Sequence, residues 1–224
     1  PLYPALCGLT TAGSNLNILK GVRAHAKVSL YCDGTLLGEE TGEVQFTDRS
    51  VSGIPVMNLS HLCKNNTDLC LRLDLCPEIC EGELKEHIAK MVRNAPETEI
   101  EIALSGVVNT KLGYAVINKA KIRQNSVLSQ LNAKDINNIV SVLKCFTIRI
   151  NGTKGFENAQ ITCGGISTDE ISAVTMMSRL HKGLFLCGEI LDIHGDCGGY
   201  NLHLAWTTGR IAGSSAAGYL KDSI

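Results

Sequence analysis

The 224-residue sequence has no window of about 18 consecutive apolar residues, which excludes a membrane-spanning helix. It also lacks a basic leader followed by an apolar run, so it reads as a soluble chain whose expected compartment is the cytoplasm. No block of lysine and arginine is present, and 21 basic residues balance 22 acidic ones. A phosphate backbone or an anionic bilayer would need a cationic footprint, so neither nucleic acid nor membrane is an expected partner. Absent too are a Gly-x-Ser-x-Gly elbow and an evident Cys/His pair, which places a hydrolase last among possible functions. No Gly-x-Gly-x-x-Gly turn occurs anywhere, so the chain carries no cradle of that type for a dinucleotide pyrophosphate.

Cysteine, by contrast, is abundant, with ten in the chain. A secreted disulfide framework would use such a number. Cys32, Cys70, Cys145, Cys163 and Cys187 instead fall inside apolar, strand-like runs, where a thiol serves as a small buried hydrophobe. Cys63, Cys70, Cys76 and Cys80 invite a zinc reading, but they form no Cys-x-x-Cys pair and no His pair accompanies them, so no metal is expected. Sequons at Asn58, Asn65 and Asn151 mean little without a secretory signal. Pro1 and the apolar, turn-rich residues 2–6 read like the middle of a protein.

Residues 22–32 alternate with the period of two of a strand that buries one face, and Asp33-Gly34 supplies a turn. Residues 35–47 continue as strand-like segments interrupted by Gly38 and Gly42, and Leu69 to Leu75 alternate again. After Cys76-Pro77 the period changes, predicting helices over 83–92, 112–122 and 133–143, the last capped by Asn132. Strand composition returns at Phe146 to Ile150, so the helices look inserted between strands. Gln160 to Cys163 and Leu184 to Cys187 read as short strands followed by glycine, and 201–220 as one long helix. The expected fold is α+β: a small β-barrel or sheet over 1–76 with its return strand at 145–160, a helical subdomain over 77–144, and a carboxyl-terminal portion over 161–224.

Most of the chemistry is concentrated in residues 183–202. An apolar run stops at Gly188-Glu189, where glycine admits a ligand to the backbone and a carboxylate can accept hydrogen bonds from sugar-type hydroxyls. Gly195, Gly198 and Gly199 permit a tight loop into a helix whose first amides and positive dipole end suit an anionic or carbonyl-rich ligand. Ala205, Gly209, Ala212, Gly213 and Ala216 form a small-residue stripe that would let this helix pack closely against a sheet. Glycine-rich strand-to-helix turns also occur without any ligand, and spacing alone names no cofactor.

Residues 183–213 closely resemble the carboxyl-terminal FAD signature of the YhiN/BaiN-like flavoproteins, a family that includes aminoacetone-oxidase-like enzymes. Residues 42–55 are similar to that family's insert segment, and 152–166 resemble its return strand. The three motifs occur in order and cover the chain almost end to end. The resemblance implies an amino-terminal Rossmann-like half that holds the ADP part of FAD, an insert of barrel and helices, and a return that completes the flavin domain. On this comparison the sequence starts at the insert and ends in a strand-loop-helix remnant of the Rossmann-like domain, without the amino-terminal FAD-binding half.

By the same resemblance, Gly188 and Glu189 contact the ribityl and phosphate region. Gly198, Gly199, Tyr200, Asn201 and Leu202 present their backbone near the flavin ring, and Thr162, Gly164 and Gly165 lie along it. Thr162 to Gly165 also read as a plain turn after a strand. His194, Asp196, Cys197 and Cys163 are polar candidates beside the ring, or loop residues bonded locally. His194 and Cys163 are the catalytic candidates. The implied function is hydride transfer between a small organic substrate and FAD, with NAD(P)H or oxygen as the other redox partner and FAD absent from this chain alone. The competing reading is a non-enzymatic binding or assembly module that never meets a flavin.

Overall fold

A computed structural model of the chain describes residues 1–13, 16–64 and 68–222, so the Asn65 sequon lies outside the described residues. The strands, in order, are β1 (Tyr3–Ala5), β2 (Leu9–Thr11), β3 (Arg23–Cys32), β4 (Thr35–Phe46), β5 (Ser50–Ser52), β6 (Leu69–Asp74), β7 (Phe146–Thr153) and β8 (Ile161–Cys163). The helices are α1 (Ile54–Leu59), α2 (Glu81–Asn94), α3 (Ile100–Leu104), α4 (Thr110–Lys119), α5 (Ala133–Lys144) and α6 (Tyr200–Asp222). They divide into two compact units, one of Gly8–Thr153 and one of Pro1–Cys7 with Lys154–Ile224.

The larger unit is a closed barrel of six strands in the order β2-β5-β4-β3-β6-β7. Closure removes free sheet edges, which suits strands as short as β2 and β5. The period of two sets the inward face: Ala26, Val28 and Leu30 on β3, Leu69, Leu71 and Leu73 on β6, and Phe146, Ile148 and Ile150 on β7 are all buried. Register aligns them, with Leu30 opposite Leu71 and Leu71 opposite Ile148. The β3–β4 turn is made by Asp33 and Gly34, both at positive φ (48° and 80°), the conformation that matches the twist of a two-residue hairpin.

Helices α2 to α5 lie between β6 and β7 in sequence and share the barrel's core through Leu84, Ile88, Leu112, Val116, Ile139 and Leu143. Asn132 caps α5, its Oδ1 accepting from the amides of Lys134 (2.8 Å) and Asp135 (3.0 Å). Helix α4 ends at Lys119, short of the predicted Ile122, because Lys121 turns to a φ of 59°.

The smaller unit pairs β1 antiparallel with β8, placing Tyr3 opposite Cys163 and Ala5 opposite Ile161. Ala5, Leu6, Cys7, Ile161 and Cys163 are buried about this ladder, and Ile171, Met176, Leu191 and Ala212 form a further buried cluster. Leu184 to Cys187 do not form the buried strand that their apolar run predicts. Phe185 bridges Met177 alone, and Leu184 is exposed. A strand is stabilised by a ladder partner, and among the described residues no further strand lies alongside this run. Of the small-residue stripe of α6, Ala212 is buried in that cluster and Ala205 lies beside Gly188, while β-carbons at Gly209 and Gly213 would meet nothing within 4 Å.

All ten cysteines are free thiols. Cys163 is buried, but Cys145 and Cys187 are exposed and Cys32 and Cys70 only half-buried, against the expectation of buried thiols in all five runs. Cys145 caps the carboxyl end of α5 rather than lying in a strand, and Cys187 lies just past the single bridge at Phe185. No helix of the described residues is long and apolar enough to cross a membrane.

Candidate functional site

In the smaller unit, residues after β8 are stitched to the short 3-10 turn Gly188–Ile190. The Ile166 amide donates to Ile190 (2.9 Å), and the Asp192 amide donates back to Ile166 (2.8 Å). Close approach of these two backbones explains Gly165, where a β-carbon would run into the Ile190 carbonyl oxygen. The Glu189 carboxylate crosses the same gap and accepts the Thr162 amide through Oε1 at 2.5 Å. Behind the turn, the buried Gly188 amide donates to Thr208 Oγ1 at 2.9 Å.

The loop into α6 is held by one side chain. Asn201 accepts the Gly195 amide through Oδ1 and donates to the Gly195 carbonyl through Nδ2, both at 2.8 Å. Gly199, at a φ of 90°, then delivers the chain into the helix with open space over its Cα. The first helical amides have no intrahelical acceptor, so this end of α6 is rich in donors.

These segments enclose a cavity of about 290 Å³. Of the residues singled out in the sequence, Thr162, Glu189, His194, Asp196, Gly198, Gly199, Asn201 and Leu202 line it. Gly188, Gly164, Gly165, Tyr200, Cys163 and Cys197 do not. Gly188 is buried under Thr208, and Gly164 and Gly165 pack against the backbones of Pro1 and Ile190. Tyr200 is 65% exposed, and Cys197 Sγ lies 4.0 Å from Gln160 Oε1.

The structure brings Cys163 and His194 together. Cys163 Sγ lies 3.6 Å from His194 Nδ1, although the two are 31 positions apart in the chain. Cys163 is enclosed, at 2% exposure, while His194 lines the cavity.

Leu6, Gln160, Ile161, Ile193, Leu204 and Ala205 complete the lining and were not anticipated. Leu6 reaches the site only through the β1–β8 ladder, where its carbonyl accepts the Gln160 amide at 3.4 Å. Ala205 carried a signal as the first member of the small-residue stripe, and a β-carbon on Gly188 would lie 3.7 Å from it.

A family model described as the HI0933-like protein barrel and H2TH domain matches residues 3–161. The chain belongs to the HI0933-like family. This is the YhiN/BaiN-like flavoprotein family that the three sequence motifs resemble. Among its relatives, a 3-dehydro-bile acid delta(4,6)-reductase of Clostridium scindens is 35% identical over 221 residues, covering 97% of this chain and 54% of its own length. Ribosomal RNA dihydrouridine synthases of Haemophilus influenzae and Escherichia coli are each 28% identical over 193 residues, covering 86% of this chain and 46% of theirs. The chain spans about half the length of the curated relatives it matches.

Proposed function

We propose that this chain supplies one wall of the active site of a flavin-dependent reductase that adds hydrogen across an electron-poor double bond of a small organic substrate. NAD(P)H, or oxygen in the reverse sense, is the other redox partner. The observation that carries this reading is the cavity at the start of α6, where Thr162, Glu189, His194, Gly199 and Asn201 converge. Its kinship to a reductase and to two dihydrouridine synthases supports the same direction of chemistry.

The residues present suit the ring end of FAD better than the whole cofactor. A cavity of about 290 Å³ lies at the lower end of small-molecule sites, and the donor-rich start of α6 matches a carbonyl-bearing ring edge that gains negative charge on reduction. The chain has no Gly-x-Gly-x-x-Gly turn, so the pyrophosphate is held by a Rossmann-like half outside this sequence, to which residues 161–224 contribute strand, loop and helix. Leu202 and Trp206, 63% and 73% exposed, leave apolar surface on α6 that such a half would cover.

The flavin, when bound, supplies the hydride. The chain's own residues do the remainder. The amides of Gly199, Asn201 and Leu202 would orient the ring edge. Glu189, with Oε1 committed to Thr162, offers its second oxygen to a ribityl hydroxyl. His194 donates the proton that accompanies the hydride, its ring held on the Nδ1 side by Cys163.

The test uses the polypeptide completed to the length of its relatives. It should purify yellow, be bleached anaerobically by NAD(P)H, and recover colour on adding a cyclic enone, while the present chain alone purifies colourless. A colourless completed protein that does not take up added FAD would overturn the flavin reading. Recovery with ribosomal RNA and with no enone would replace the small-molecule substrate by a nucleic acid.

A further inference from the structure

The larger unit holds a second cavity, of about 300 Å³, that the reductase reading does not use. Its wall is mostly apolar, with Leu16, Ile18, Leu19, Ala115 and Phe146 beside Asn118 and Thr147, and Lys119 is the charged side chain among its lining residues. Lys119 Nζ donates to the Thr147 carbonyl at 2.8 Å and sits 4.8 Å from the centroid of the Phe146 ring. As the last residue of α4 it also complements the negative end of that helix.

Those contacts leave charge and donors over. An ammonium carries three donors, and the carbonyl takes one of them. Among the described residues Lys119 forms no ion pair with a carboxylate. Partial burial pushes its pKa below the ordinary lysine value, with Cys70 opposing the shift. The surroundings reinforce the imbalance. From residue 102 to residue 134 the sequence has no aspartate or glutamate and carries Lys111, Lys119, Lys121, Arg123 and Lys134. Lys111, one helical face along from Lys119, reaches the Lys20 carbonyl at 3.5 Å beside the turn that carries Ile18.

We propose that this cleft binds a small amphipathic carboxylate, its apolar body against Ile18, Ala115 and Phe146 and its anionic head on Lys119. A cation facing an apolar cavity without a counter-charge is complementary to a ligand that brings both halves, and a charge-assisted hydrogen bond is about twice as strong as a neutral one. Apolar walls that orient a body, with one charged group fixing its head, are the usual make-up of a small-ligand site. The cavity volume limits the body to roughly a single ring or a short branched chain.

Phenylacetate titrated into the isotope-labelled chain tests this by NMR, with phenylacetamide and inorganic phosphate as the comparison probes. Phenylacetate should move the amide signals of Ala115, Lys119 and Phe146 saturably, and bind about tenfold more tightly than the amide. Lys119→Gln, on the solvent-facing end of a helix, should keep its signal dispersion and bring the acid down to the amide's affinity. Ile18→Ser, at a half-exposed position, should weaken acid and amide alike. Equal binding of acid and amide, phosphate binding as tightly as phenylacetate, an unaffected Lys119→Gln variant, or the absence of saturable shifts would each overturn the proposal.

Discussion

Thr208 Oγ1 accepts the buried Gly188 amide at 2.9 Å while donating its own proton to the Leu204 carbonyl at 2.7 Å. A hydroxyl is the smallest group that can do both, and it fixes the 3-10 turn carrying Glu189 to the helix that opens the cavity. Thr208→Val keeps the shape and leaves the Gly188 amide buried without an acceptor, which costs about 1–3 kcal/mol. Urea melts of the variant should show that loss, and Thr208→Ser should restore most of it. Equal stability of wild type and Thr208→Val would mean that the amide finds water instead.

Lys144 makes the corresponding tie in the larger unit. Its Nζ bonds the carbonyls of Cys76 (3.0 Å) and Ile79 (2.9 Å) and pairs with Asp74 Oδ2. Both side chains are about four-fifths buried, so the pair escapes most of the screening that weakens surface ion pairs. Lys144→Met should destabilise by about 2–3 kcal/mol, because Asp74 and two carbonyls lose their donor. Adding Asp74→Asn should cost much less in that background than alone, a coupling that a double-mutant cycle measures directly.

The barrel was legible where each residue's surroundings repeat along the chain. Alternation in β3 and β6 records one buried face, and Asn132 records a cap, because both depend on neighbours in sequence. Leu184 to Cys187 show the limit: an apolar run records that it avoids water but not whether a partner strand lies beside it. The tight loop before α6 was legible in Gly195, Gly198, Gly199 and Asn201, whose bonds are local. The site was not legible in Leu6, which reaches the cavity through a ladder between opposite ends of the sequence, or in the Cys163–His194 contact, which depends on how β8 meets the loop before α6.

Acid should weaken the larger unit with a recognisable contribution from the start of α2. The Cys80 amide donates to Glu83 Oε2 at 3.1 Å and holds the Glu83 carboxyl below its ordinary pKa, as the Lys85 ammonium does for Glu81. A carboxyl whose pKa is depressed by folding stabilises the fold above its unfolded pKa, about 4.3, and that contribution is lost as pH falls through the folded value. Urea midpoints should therefore decline below about pH 4.3, and Glu83→Gln should flatten the decline while lowering the midpoint at neutral pH. An unchanged pH slope in Glu83→Gln would show that this carboxylate does not contribute to the acid sensitivity.

His194 separates the two halves of the proposed reaction. As proton donor to the substrate it acts only when the double bond is reduced, so His194→Gln in the completed polypeptide should slow reoxidation by an enone about 10²- to 10³-fold. Reduction by NAD(P)H should stay within a few fold of wild type, because that step needs no proton from the cavity wall. Cys163→Val keeps the buried volume near Tyr3 and removes only the contact to Nδ1. Its smaller loss should likewise fall on the enone step, which rapid mixing resolves from flavin reduction. If both steps slow equally in His194→Gln, the imidazole holds the cofactor, and the substrate's proton comes from elsewhere in the site, with Asp196 the next group on the same wall.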